Sequence, residues 1–128
     1  MLSRRLLGKI LRTGEIYRVQ LDPVVGHEMN KTRPVVVLNP GDAKSLRLAI
    51  VVPVTAWKPH WEGNAFFLTL DPKAHHGLTK KSVVDCFQMR ALSHDRFQER
   101  LGELSSAKIE TLKRALSLIL DIEARHCV

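Results

Sequence analysis

The chain has 128 residues, 45% of them hydrophobic, which suits one globular domain and leaves no room for several. Lys and Arg outnumber Asp and Glu by 20 to 13, a formal charge of +7; this favours an anionic partner without choosing between RNA and an acidic polypeptide. Two cysteines, Cys86 and Cys127, make no disulfide framework, and the longest apolar run, Leu48–Val54, is too short to span a bilayer, which points to reduced thiols in a cytoplasmic protein with no membrane partner.

The chain opens on MLSRRLLGKILR, basic and leucine-rich. Lys9 interrupts its apolar part and no small-residue cleavage site follows, so it reads as a short amphipathic helix or tail, residues 1–13, rather than a signal peptide. Glu15–Leu21 alternates, with Tyr17, Val19 and Leu21 on one face and Arg18 and Gln20 on the other, the pattern of a half-buried strand ended by Asp22-Pro23. Val35–Leu38 is apolar throughout and predicts a central strand, followed by a turn at Asn39-Pro40-Gly41-Asp42. Leu46–Val54 predicts a third strand closed by Pro53. A long loop spans Thr55–Asn64, a fourth strand Ala65–Leu70, and a further loop Lys73–Thr79. Lys81–Arg90 predicts a fifth strand, which places Asp85 on the side of Phe87 and away from Gln88 unless a bulge intervenes. A helical turn over His94–Glu99 and a short strand over Arg100–Leu104 precede a helix from Ser105 or Ser106 to about Ile122, striped by Ile109, Leu112, Leu116, Ile119 and Leu120. Several short strands and one helix predict a mainly β, α+β fold: a small, strongly bent antiparallel barrel closed by that helix, over residues 14–122, with a tail at 123–128.

The order GEIYRVQLDP, GHE, K-TRP-VVVLNP, VVPVT, a GL at Gly77 and SVVDCFQMR resembles the MazF/PemK (Kid) toxins of type II toxin–antitoxin systems, over nearly the whole chain. No one motif is specific, but several in order at matching spacing are. The resemblance implies an SH3-like barrel of the MazF/PemK type that pairs into a two-fold homodimer. It implies a metal-independent endoribonuclease needing no cofactor, which cuts single-stranded RNA at a short sequence, and an acidic antitoxin of the MazE/PemI kind that covers the RNA groove.

Cleavage of RNA without a metal has the ribose 2′-oxygen attack the adjacent phosphorus, leaving a 2′,3′-cyclic phosphate and a 5′-hydroxyl. It needs a group to take the 2′ proton, one to protonate the leaving oxygen, and donors for the charge on phosphate. The planar fork of arginine suits the last task. Arg33 matches the arginine of the family's TRP, Thr55 the threonine of its PVT, and Gln88 the glutamine before Arg90 in its (D/E)Q-x-R pattern. His27, in GHE, titrates near neutral pH and matches a histidine of Kid-like toxins. Either His27 or Arg33 handles protons in this reading, while a backbone-bonded loop histidine is the equal alternative for His27. Glu28 either acts on the 2′-hydroxyl or pairs with Arg33 or Lys31. Two departures stand out: Phe87 replaces the acid that often precedes the glutamine, and Ala56 replaces a serine or threonine. Asp85 is acidic but two positions earlier.

Trp57, Lys58, His60 and Trp61 interleave rings with positive charge, a pattern suited to stacking unpaired bases beside a phosphate path. At least one of these tryptophans is expected to pack as core. The expected RNA contacts are therefore Glu28, Lys31, Trp57, Lys58, Trp61, Asp85 and Arg90. His75-His76 lacks further ligands at useful spacing, so no metal site is expected. A second reading is a protein on the same scaffold that binds RNA without cutting it, or contacts gyrase.

Overall fold

Runs of β-branched residues set the frame, and prolines mark where its ladders stop. The computed structural model describes residues 11–21, 32–39, 47–72 and 77–122. These form seven strands and one α-helix: β1 (Glu15–Gln20), β2 (Thr32–Leu38), β3 (Leu48–Ala56), β4 (Phe67–Leu70), β5 (Ser82–Asp85), β6 (Arg90–Ser93), β7 (Phe97–Glu103) and α1 (Ser106–Ile119). The strands make one antiparallel sheet in the order β4-β5-β3-β2-β1-β7, with β6 also on β3. The mainly β fold with a C-terminal helix is as expected. The barrel, however, is open: among the described residues β4 and β7, the two ends of the path, do not pair with each other.

Alternation along β1, β2 and β3 feeds two cores. Ile16, Val36, Val52 and Val54 join Leu68, Leu70, Val84 and Cys86 on one face. Tyr17, Val19, Val35, Val37 and Val51 join Leu92 and Phe97 on the other. With both faces covered, β2 reads as a continuous apolar run. Leu112 and Ala115 of α1 are buried in the first core, and Ile109, Leu116 and Ile119 pack against it. Leu120 departs from the expected stripe. It lies past the helix end, where Asp121 takes a left-handed φ of 57°, and it is exposed.

The helix is held on the sheet at two points. Ser105 caps it, its side chain accepting from the Lys108 amide, and Lys108 Nζ donates to the Thr69 carbonyl of β4 at 3.0 Å. Gly14, at a φ of 96°, allows close approach on the other side, since a Cβ there would meet Ile109 Cδ1 at 2.5 Å. Leu11 is buried, its carbonyl accepts from Asn39 Nδ2, and the Thr13 hydroxyl accepts from the Asn39 amide.

Several element boundaries differ from expectation. Pro53 does not close β3, which runs on to Ala56. β6 pairs with Leu48–Val51 and β5 with Val54–Ala56, so Val52 and Pro53 have no strand partner on that edge. A proline fits there because no ladder donor is needed. Pro34 likewise lies just beyond the last β2–β3 pair, Val35 with Pro53. β4 begins at Phe67 because Asn64 Oδ1 accepts the Phe66 amide at 2.9 Å, holding the chain in a turn. β7 starts at Phe97, earlier than expected. The largest correction concerns Lys81–Arg90. It is not one strand: β5 and β6 lie along the same edge of β3, and a 3₁₀ turn, Cys86–Gln88, bulges out between them opposite Val52 and Pro53.

Candidate functional site

That bulge builds the site. The Asp85 carboxylate accepts the Phe87 amide at 3.1 Å, which caps the turn, and its other oxygen accepts from Gln88 Nε2 at 2.8 Å. The strict alternation of one strand would have separated Asp85 from Gln88. The turn instead brings them into contact. Asp85 is buried and Gln88 exposed, so the carboxylate anchors the amide from beneath. An amide nitrogen carries two hydrogens, so Gln88 retains an N–H beyond the one given to Asp85.

Asp85 and Gln88 line a cavity of about 380 Å³ together with Arg33, Thr55, Trp61 and Arg90, over a floor that includes Pro53. Arg33 is the second residue of β2, in register with Val19 of β1; the proline after it restricts it to the extended backbone that a strand needs. Thr55 sits near the end of β3 opposite Val83, and Arg90 opens β6 opposite Val51. Strands thus hold Arg33, Thr55, Asp85 and Arg90, and two short turns hold Trp61 and Gln88. A second cavity, of about 590 Å³, adjoins the first and shares Arg33 and Thr55 with it; Thr32, Thr79, Lys80 and Ser82 complete its polar side. Arg33 and Thr55 therefore stand on the saddle between two hollows.

Of the expected site residues, the structure gathers Arg33, Thr55, Gln88, Trp61, Asp85 and Arg90 around one cavity. Trp57 and Lys58 line neither hollow. Trp57 lies under Lys81, whose Nζ is 3.9 Å from the ring centroid, and its amide donates to the Lys81 carbonyl. His27, Glu28 and Lys31 lie outside the described residues, as does the His75-His76 pair. Among the described residues no group of three or more His, Cys, Asp or Glu is placed to hold a metal ion.

Cys86 is fully buried in the turn, and burial, with the Asp85 carboxylate beside it, pushes its thiol pKa up to about 11. At neutral pH it is a protonated core side chain, not a nucleophile.

One feature of the site escaped the sequence. Trp61 stacks on Phe67 at 4.1 Å, Phe67 stands 6.4 Å from Phe87, and Phe87 meets Phe66 edge-on at 4.9 Å. His60 extends the row beyond Trp61 at 4.2 Å. The chain holds only four Phe, two Trp and one Tyr, and four of those seven residues stand in this row. That concentration is the signal composition could have offered, but 20 residues separate Phe67 from Phe87 and only the fold joins them.

Comparison with known proteins identifies relatives of the chain. The family model described as PemK-like, MazF-like toxin of type II toxin-antitoxin system matches residues 12–120. The chain is similar to endoribonuclease PemK of Escherichia coli, 34% identical over 112 residues, 86% of this chain and 82% of that one. It is similar also to endoribonuclease MazF9 of Mycobacterium tuberculosis, 33% identical over 119 residues, 88% of this chain and 98% of the other. Among solved structures, a MazE-MazF crystal structure from Deinococcus radiodurans superposes with a TM-score of 0.71 at 26% identity, covering 90% of this chain and 100% of that one.

Proposed function

The chain belongs to the PemK-like, MazF-like toxin family of type II toxin–antitoxin systems, and on that premise we propose that it is an endoribonuclease that cuts single-stranded RNA at a short sequence without a metal. The observation that carries the proposal is the convergence of Arg33, Thr55, Gln88 and Arg90 on one cavity. Relatives named endoribonucleases over most of their length support it.

In this reading Arg33 grips the phosphate under attack with its two-pronged guanidinium and stabilises the charge that grows there. The Thr55 hydroxyl and the remaining N–H of Gln88 hold ribose and phosphate so that the 2′-oxygen, phosphorus and leaving oxygen lie in line. Asp85 contributes by fixing Gln88. His27 or Arg33 handles the protons: a neutral His27 imidazole can take the one from the 2′-hydroxyl, whereas the Arg33 guanidinium can only donate, toward the leaving 5′-oxygen. Trp57, Lys58, Glu28 and Lys31 belong to the wider RNA surface. The two hollows on either side of Arg33 and Thr55 give the nucleotides flanking the scissile phosphate separate seats.

The same reading includes an acidic antitoxin, for which a charge of +7 and the MazE-MazF complex of a relative are the support. It includes a homodimer, in favour of which Leu48 and Ile50 on β3, and Leu118, Leu120 and Ile122 at the end of α1, are exposed. It also includes the cytoplasm as its location; no described helix is long and apolar enough to cross a membrane. Induction in cells tests the class of activity. A cutter of messenger RNA stops protein synthesis first, whereas induced DNA damage with intact RNA would replace this reading with one of a gyrase poison.

A further inference from the structure

Phe87 is 58% exposed, a large apolar ring left open beside the cavity. It is nevertheless mounted firmly. Its amide is tied to Asp85, and its ring rests edge-on against Phe66 at an interplanar angle of 61°. Its neighbours in the turn, Asp85 and Gln88, line the cavity, and the row of rings leads through Phe67 back to Trp61, which lines it too. His60 extends the row beyond Trp61, and two cations, Arg33 and Arg90, line the cavity that Trp61 shares. A rigid exposed ring next to phosphate-binding cations provides the two things an unpaired strand needs, a π-face for a base and positive charge for its backbone.

We propose that Phe87 is a stacking platform for one unpaired nucleobase of the substrate, seated beside the Arg33–Thr55 centre. This deepens the endoribonuclease reading and rests on it. Phenylalanine has no hydrogen-bonding edge, so the platform orders a base without identifying it. Identification falls to hydrogen-bonding groups of the wider RNA surface. Stacking also fixes the flanking nucleotide, so it contributes to the in-line geometry at phosphorus.

The test uses short single-stranded RNA of mixed sequence, blocked against cleavage by 2′-O-methyl groups, and compares wild type with Phe87→Leu and Phe87→Trp. Leucine keeps apolar bulk at an exposed position, so thermal unfolding should be unchanged. The expected result is about tenfold weaker binding for Phe87→Leu and wild-type binding for Phe87→Trp. A bound oligonucleotide is then scanned with single abasic residues. In wild type one position should show a loss of similar size, and in Phe87→Leu that position should become insensitive. Equal binding by Phe87→Leu, or an abasic loss that persists in it, overturns the proposal. If RNA binding is untouched while an antitoxin binds less tightly, the ring is a protein contact and the proposal is again wrong. A wild-type protein that neither binds nor cuts RNA defeats the underlying reading as well, whereas one that cuts normally with Phe87→Leu defeats only the stacking role.

Discussion

At the residue scale, the tasks proposed for the side chains around the cavity can be tested one at a time. Arg33 is exposed, so Arg33→Ala should leave the unfolding midpoint unchanged and lower RNA cleavage at least a hundredfold, the order expected when a principal charge-stabilising donor is removed. Asp85 holds both the turn and the Gln88 amide. Asp85→Ala should therefore cost about 1 kcal/mol of stability, as for loss of a cap, and also lower the rate at saturating RNA; Gln88→Ala should lower the rate with little change in stability. Urea unfolding beside single-turnover cleavage separates these effects. Cys86 gives a sign-determined pH effect. Its thiol titrates near 9 when unfolded and at about 11 in the fold. Below pH 9 both states keep the proton; between 9 and 11 only the unfolded state releases it. Stability should fall across that window, and Cys86 should resist alkylation at pH 8 until denaturant is added. A thiol alkylated rapidly in the native protein at pH 8 would contradict this.

At the element scale, β2 was readable because both its faces are buried, so no polar residue interrupts Val35–Leu38. β1 was readable because only one of its faces meets a full core beyond Ile16. The segment from Lys81 to Arg90 was not. A period-two reading assumes an unbroken ladder, and here the break depends on what lies opposite, Val52 and Pro53, in a strand distant in sequence. The consequence reached the site: Asp85 and Gln88, separated by the alternation, are bonded in the fold. Arg33, Thr55 and Gln88 were legible through resemblance to the family, while the row Trp61–Phe67–Phe87–Phe66 was not, because contacts between distant segments have no local signature. α1 packs on β4 and on the Cys86–Gln88 turn and buries Leu112 and Ala115 in the first core, which makes it the element to perturb. Leu112→Ala, at a fully buried position, should cost about 3 kcal/mol, and Ser105→Ala about 1 kcal/mol. Thermal or urea unfolding checks both; a neutral Leu112→Ala would mean that α1 does not hold the first core.

At the scale of the whole molecule, one long interior strand, β3, pairs with β2 on one side and carries two partners end to end on the other, and the site forms where those two partners meet. The helix is remote in sequence from the cavity but supports the strands that shape it. A basic molecule with this cavity should bind RNA with affinity that falls steeply as salt rises, and an acidic antitoxin should compete for the same surface. The most direct measurement incubates the purified protein with a long unstructured RNA in EDTA, beside Arg33→Ala, and maps every new end. Cuts at a recurrent short sequence, bearing 5′-hydroxyls and 2′,3′-cyclic phosphates and absent with Arg33→Ala, are the result predicted. RNA left intact by the wild-type protein, or cut equally by Arg33→Ala, would contradict a metal-independent ribonuclease centred on that arginine.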